Sequence, residues 1–382
     1  MFKRFNLANL QSDQNNVESA QANYEEALQS YRDLAAENPR TYLPDVATTL
    51  NNLANLQKDQ NNVENAQANY EEALEIRRDL AAENPRTYLP DVAMTLSNLA
   101  ILQKAQNNVE SAQANCEEAL QICRDLAAEN PRIYLPDVAT TLNNLAILQK
   151  AQNNVENAQA NYEEALEIRR DLAAENPRIY LPDVATTLNN LAVLQSDQNN
   201  VESAQANYEE ALEIRRDLAA ENPRTYLPGV AMTLNNLAIL QKAQNNVENA
   251  QANYEEALQS YRDLAAENPR TYLPDVATTL NNLANLQKAQ NNVESAQANY
   301  EEALEIRRDL AAENPRTYLP GVAMTLNNLA ILQSDQNNVE SAQANYEEAL
   351  EIRRDLAAEN PRTYLPDVAM TLNNLAILQK AK

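Results

Sequence analysis

Residues 44–85 read PDVATTLNNLANLQKDQNNVENAQANYEEALEIRRDLAAENP, and every later segment is a near copy of them. The marker Asn-Pro-Arg puts prolines at Pro39, Pro85, Pro131, Pro177, Pro223, Pro269, Pro315 and Pro361, each 46 residues after the last. A fixed period in this range is the mark of a stacked array, in which each unit touches only its neighbours and none buries its apolar face alone.

One copy predicts two helices. Pro44 suits a first helical turn, where a missing N–H does no harm, and Asp45 complements the positive end of the helix dipole. Val46, Leu50, Leu53 and Ala54 then recur at helical spacing, giving a helix A over residues 44–59. Gln60-Asn61-Asn62 interrupts the pattern, and Asn tolerates the left-handed conformation of a tight turn. Helix B follows over 62–83. Its apolar stripe is Val63, Ala66, Tyr70, Ala73, Leu74, Leu80 and Ala81, with Glu71, Glu72, Glu75, Arg77, Arg78 and Asp79 on the solvent side. Local Glu/Asp–Arg pairs on that side are worth a few tenths of a kcal/mol each. Asn84 before Pro85 ends the helix, because a residue preceding proline avoids the α region. Arg86–Leu89 is expected as a connector whose Tyr88 and Leu89 cover the seam between units. Ala54, Ala66 and Ala73 are small in every complete copy, as two closely approaching helices require.

Leu50, Leu53, Ala54, Ala66, Tyr70, Ala73 and Leu74 together resemble the tetratricopeptide repeat (TPR), in the form found in kinesin light chains and many bacterial proteins. The resemblance covers essentially the whole chain. It implies an all-α fold, a right-handed α-solenoid of about eight helix-turn-helix repeats forming one domain over 1–382, with helix A on the concave face. The 46-residue period exceeds the usual figure of about 34. Gln57 and Asn61 also stand where the family often has Tyr and Gly.

Composition agrees with an all-helical chain. Only Gly229 and Gly321 are glycines, and strong helix formers dominate. The net charge of −25 is evenly spread, four basic against eight acidic residues in 47–92. Such a surface repels phosphate backbones and anionic membranes. No apolar run has transmembrane length, so no membrane insertion is expected. Cys116 and Cys123 stand on one helix, about 10 Å apart along its axis, too far to bridge. With no disulfide framework and no signal-peptide core, a cytoplasmic location is expected. The first copy begins inside helix A, with Met1 aligned to Ala47, and the last ends after a lone helix A. A piece of a longer array, or end-to-end self-association, would account for such ends.

The sequence has no His, no Gly-rich phosphate loop and no converging carboxylates. A non-enzyme with no cofactor and no metal is the expectation. The candidate site is an asparagine column. Asn52 recurs as Asn98, Asn144, Asn190, Asn236, Asn282, Asn328 and Asn374, with Asn6 in the same slot. The preceding Asn51 recurs as Asn143, Asn189 and Asn235 among others. Asn is a mediocre helix former, and an amide both donates and accepts, as a peptide backbone requires. A protein or peptide partner held by an Asn ladder is one reading; asparagines tying neighbouring units together is the other. Lys58, Lys104, Lys150, Lys242 and Lys288 add a basic edge, and Ile101, Ile147 and Met94 add apolar surface. The alternatives to a peptide-binding scaffold are a self-assembling structural array, or a sensor segment of a larger bacterial signalling protein.

Overall fold

Proline and asparagine set every helix boundary. The computed structural model describes residues 17–380, where sixteen helices follow one another with no strand. B-type helices alternate with A-type helices. They are α1 (Val17–Glu37), α2 (Pro39–Asp59), α3 (Val63–Glu83), α4 (Pro85–Ala105), α5 (Val109–Glu129), α6 (Pro131–Ala151), α7 (Val155–Glu175), α8 (Pro177–Asp197), α9 (Val201–Glu221), α10 (Pro223–Ala243), α11 (Val247–Glu267), α12 (Pro269–Ala289), α13 (Val293–Glu313), α14 (Pro315–Asp335), α15 (Val339–Glu359) and α16 (Pro361–Lys380). The start of the chain, including the partial first helix A and Asn6, lies outside the described residues.

Helix A starts earlier than its sequence predicts. Arg86–Leu89 is the first turn of α4 and not a connector. The single break is Asn84, which takes an extended φ of −141° before Pro85 at the first helical position. The amides of Thr87 and Tyr88 both donate to the Asn84 carbonyl. Pro90 therefore sits inside the helix, where it removes one backbone donor. Tyr88 and Leu89 pack against the core as expected.

The turn from A to B uses asparagine as predicted. Asn61, Asn107, Asn153, Asn199, Asn245, Asn291 and Asn337 all take φ of 60° or 61°. The Asn62 amide donates back to the Gln57 carbonyl at 2.8 Å and Asn61 to Lys58 at 2.9 Å. This is the Schellman arrangement, with Asn in the place glycine usually holds.

Two compact units share this pattern, residues 1–194 and 195–382. Within each, helix A packs on the helix B that follows it, and that B packs on the next A. Ala54, Ala66, Ala73 and Leu50 are fully enclosed, as are Ala277, Ala296, Ala303 and Leu280 in the second unit. A-type helices of adjacent repeats also touch directly, α2 with α4 and α12 with α14. On α16, Leu372 is 41% exposed, whereas its counterpart Leu326 is fully buried beneath the following helix B.

Arg77 corrects the sequence reading. It is not on the solvent side but only 2% exposed. Residues 66, 70, 73 and 77 fall on one helical stripe, so Arg77 faces inward with Ala66, Tyr70 and Ala73. Its Nη1 donates to the Asp91 carbonyl oxygen at 3.2 Å and to the Thr95 hydroxyl on α4. Arg169, Arg215, Arg307 and Arg353 repeat the arrangement. Burial lowers all five guanidinium pKa values. Where Gly229 and Gly321 replace the aspartate, Arg215 and Arg307 fall to about 10. Arg78, by contrast, does not pair along its own helix. It reaches Glu118 on the next helix B, with both oxygens at 2.7 Å. The same Arg–Glu bridge between B helices recurs at Arg32–Glu72, Arg124–Glu164, Arg216–Glu256, Arg262–Glu302 and Arg308–Glu348, all half-exposed and each worth well under about 1 kcal/mol.

Replacing Asn153 by Ala forces a β-carbon residue without a local polar side chain into the left-handed region. A loss of about 1–2 kcal/mol in urea unfolding is expected, and Asn153→Gly should be neutral or stabilising. Alkaline stability follows from the buried phenols. Burial raises the pKa of Tyr70, Tyr162, Tyr208, Tyr254, Tyr261 and Tyr300, and takes Tyr346 to about 12. Each folded phenol holds its proton longer than the unfolded one, so its contribution is present below about pH 10 and lost as pH rises through the raised value. The lowered guanidiniums act with the opposite sign but are fewer. The melting temperature should fall above about pH 10, in step with tyrosinate absorbance.

Candidate functional site

The exposed face of helix A is built from positions three and four residues apart, which a helix brings onto one side. In α2 they are Thr48, Asn52 and Asn55; in α4, Met94, Asn98 and Ile101; in α6, Thr140, Asn144 and Ile147. A helices of adjacent repeats touch at α2–α4, α10–α12, α12–α14 and α14–α16, which sets these positions side by side from repeat to repeat there.

The asparagine column is bonded from repeat to repeat. Nδ2 of Asn98 donates to Oδ1 of Asn51 at 3.4 Å, Asn190 to Asn143 at 3.2 Å, and Asn282 to Asn235 at 3.3 Å. Asn328 and Asn374 do the same to Asn281 and Asn327. The first asparagine of each pair is the acceptor; Asn51, Asn143, Asn189, Asn281 and Asn327 are buried, and Asn235 is half-buried. The second, including Asn52, Asn144 and Asn236, stays half-exposed on the helix-A face. Burial therefore leaves the second asparagine of each pair as the one that presents an edge to the surface. At Ser97 the column is interrupted, and among the described residues no hydrogen bond ties the Asn144 amide.

The lysines stand in the last turn of helix A, where the dipole favours a cation. Lys58 lies 3.7 Å from Asp59, and Lys288 reaches Asp335 of the next A helix at 3.0 Å. Lys104 is exposed, Lys150 half-buried, and burial lowers the Lys242 pKa. Asn55 is tied down on this face, because its Oδ1 accepts from the buried Tyr70 hydroxyl at 2.6 Å. A link that sequence reasoning missed lies beneath the face. Asn69 donates to the buried Gln57 side chain at 2.7 Å, and six further repeats copy the pair. Its signal was a polar Gln recurring at a core-facing spacing.

A cavity of about 370 Å³ opens between α4 and α6. Met94, Asn98, Ile101, Tyr134, Asp137 and Asn144 line it, with Cys123 and Thr141 among the deeper residues. Burial pushes the Cys123 thiol up to about 11 and Cys116 up to about 12, so both stay neutral near pH 7. Among the described residues no helix is long and apolar enough to cross a membrane.

Stacked helical pairs presenting a ladder of polar and apolar positions are the architecture of a protein-interaction scaffold. The family model described as tetratricopeptide repeat matches residues 45–125, 91–171, 137–217, 183–263, 230–309 and 275–355, and a second model of that description matches 4–34. The chain belongs to the tetratricopeptide repeat family. Among solved structures it is similar to BtubC (BKLC) from P. vanneervenii, at 26% identity and a TM-score of 0.54, over 65% of this chain and 92% of that one. It is also similar in fold to the apo form of RapI, at 14% identity and a TM-score of 0.58, over 81% of this chain and 98% of that one. Among curated protein sequences nothing matches significantly.

The column predicts a stability difference. Asn281→Ala removes the acceptor of Asn328 at a buried position and should lower stability by about 1 kcal/mol in urea. Asn144→Ala breaks no such tie and should stay within about 0.5 kcal/mol of wild type.

Proposed function

We propose that the chain is a non-catalytic scaffold that holds an extended protein segment along the helix-A face, with the second asparagine of each repeat as a rung. The observation that carries this reading is the fixed orientation of those half-exposed amides. Asn98, Asn190, Asn282 and Asn328 each donate to the previous repeat, so an edge of each amide faces outward without further ordering. Pre-ordered groups lose less entropy on binding. A net contribution of about 1 kcal/mol per bond, summed over several rungs, gives modest and sequence-tolerant affinity. Lys58, Lys104, Lys150, Lys242 and Lys288 form the basic edge of the same surface, and Met94, Ile101, Met232 and Ile239 supply exposed apolar contacts. On this reading residues 1–382 form one continuous solenoid domain that works in the cytoplasm.

Selection of displayed random peptides on wild type, followed by titration of the recovered peptides against the Asn144, Asn190 and Asn236→Ala triple variant, tests it. Affinity should drop at least tenfold. Unchanged affinity, or a drop matched by loss of the folded state, would remove the ladder from function. A second reading, end-to-end assembly, is favoured by the exposed Leu365, Met370, Leu372 and Ile377 on α16. It expects molar mass by light scattering to rise with concentration, and to stop rising in Leu372→Glu.

A further inference from the structure

The near identity of the repeats makes each one a control for the others, and the cavity between α4 and α6 lies where two of them diverge. Position 77 and its equivalents hold Arg77, Arg169, Arg215, Arg307 and Arg353, or else Tyr31 and Tyr261. All seven side chains are buried. Only at Cys123 is the residue small. Each buried arginine is received by the same cradle on the following helix A, a backbone carbonyl and a threonine hydroxyl, as Asp91 and Thr95 receive Arg77. On α6 the cradle is complete. Thr141 and Asp137 are present, and the Thr141 hydroxyl donates to the Asp137 carbonyl at 2.8 Å, as Thr95 does to Asp91. Among the described residues no guanidinium reaches it; Cys123 lies against Thr141 instead.

A second divergence falls on the same spot. Ser97 is the one serine among the equivalents 51, 97, 143, 189, 235, 281, 327 and 373. Its short side chain leaves the Asn144 amide untied, and Ser97 and Asn144 both line the cavity. The rim is apolar and open, with Met94 and Ile101 each 44% exposed. The charge there is negative. Asp91 and Asp137 both line the cavity, and no Lys or Arg does. Asp91 already faces Arg77, while Asp137 has no buried arginine of its own. Arg124, next to Cys123, is engaged by Glu164 at 2.7 Å on the helix-B side.

We propose that this cavity takes the side chain of an arginine from an extended peptide, its guanidinium donating to the Asp137 carbonyl and Thr141 hydroxyl as the buried arginines do in the sister repeats. The aliphatic stem lies against Met94, Leu126 and Tyr134, and the Asn144 amide is placed to bond the peptide backbone. Apolar walls with a few convergent acceptors fit a cation on an apolar stem, and the volume falls within the range of about 300–1,000 Å³ usual for small-ligand sites. Arginine is the side chain that five sister repeats place in this cradle, with Nη1 donating to both acceptors. The inference rests on the helix-A face being a peptide surface. It adds the one position along that surface where a particular side chain is selected, and so the register of the bound segment.

The probe is a fluorescein-labelled, end-capped pentapeptide with one central arginine, titrated by fluorescence polarisation against the full chain. Its neutral citrulline counterpart is the control. Saturable binding is expected, with affinity at least fivefold weaker for citrulline and at least tenfold weaker in Cys123→Arg, which fills the cradle from within. Cys123→Arg reproduces a residue that five repeats already bury, and its folding is checked by circular dichroism. Asp137→Asn and Asn144→Ala serve as milder variants and should each weaken the probe. Cys123→Ala should bind as wild type does. Equal binding of the two peptides, undiminished binding by Cys123→Arg, or no binding at low-millimolar protein would overturn the proposal. Peptides recovered by display separate the two levels. If they still need the asparagines while the arginine probe fails, the cradle falls and the scaffold stands. If neither binds, both fall.

Discussion

Everything in this molecule depends on how closely two helices can approach. Ala54, Ala66 and Ala73, together with Leu50, have no exposed surface at all, and their counterparts are enclosed in the same way except on α16, where Leu372 and Ala376 are exposed. A methyl group at the contact lets the helices nest, and larger side chains such as Leu53, Leu56 and Tyr70 then fill the space around it at native density. A side chain even a few methylenes longer at the alanine positions would cost about 1–3 kcal/mol by overpacking. Because the contact is repeated, the solution found by one unit serves all of them, and stability accrues from unit to unit rather than from one central core.

Polar links then set how one repeat sits on the next. The Arg–Glu bridges between B helices are half-exposed, and their net contribution is small. The Asn–Asn bonds are long, at 3.2–3.4 Å, and contribute modestly as well. Their value lies in geometry, since a polar pair satisfied in only one register disfavours slipped neighbours. The buried arginines carry higher stakes. Taking a guanidinium out of water costs several kcal/mol and is offset only by well-placed acceptors. The carbonyl and threonine supply these, though Nε of Arg77 and of Arg169 has no partner. A buried charge held by neighbouring elements is a demanding local specification. Its absence at Cys123 is therefore a larger change than one residue would imply.

Much of the architecture was legible from spacing alone. The period, the two helices per repeat, the left-handed asparagine in the turn and the small residues at the contact all follow from local rules acting on a repeated pattern. The exceptions are informative. The pattern predicts helix A from Pro44, yet it starts at Pro39, because both prolines satisfy the same first-turn preference and only the chain's continuation chooses between them. The charge of Arg77 suggests solvent, but its spacing from Ala66, Tyr70 and Ala73 puts it on the inner stripe. The substitutions Tyr31, Tyr261 and Cys123 at that position were the signal that it is enclosed. The asparagine column was visible, but its bonding was not, since the two amides that meet are 47 residues apart.

The sequence by itself therefore determined the fold class, the helical unit and its repetition, because helix propensity, caps and apolar periodicity are properties of neighbouring residues. Only the tertiary structure decided which asparagine of each pair is buried, where Arg78 finds its carboxylate, and that Ser97 and Cys123 open onto one cavity. Those facts depend on side chains from different repeats meeting across a packed interface. No pattern within a single copy encodes that meeting, because its partners are supplied by the next.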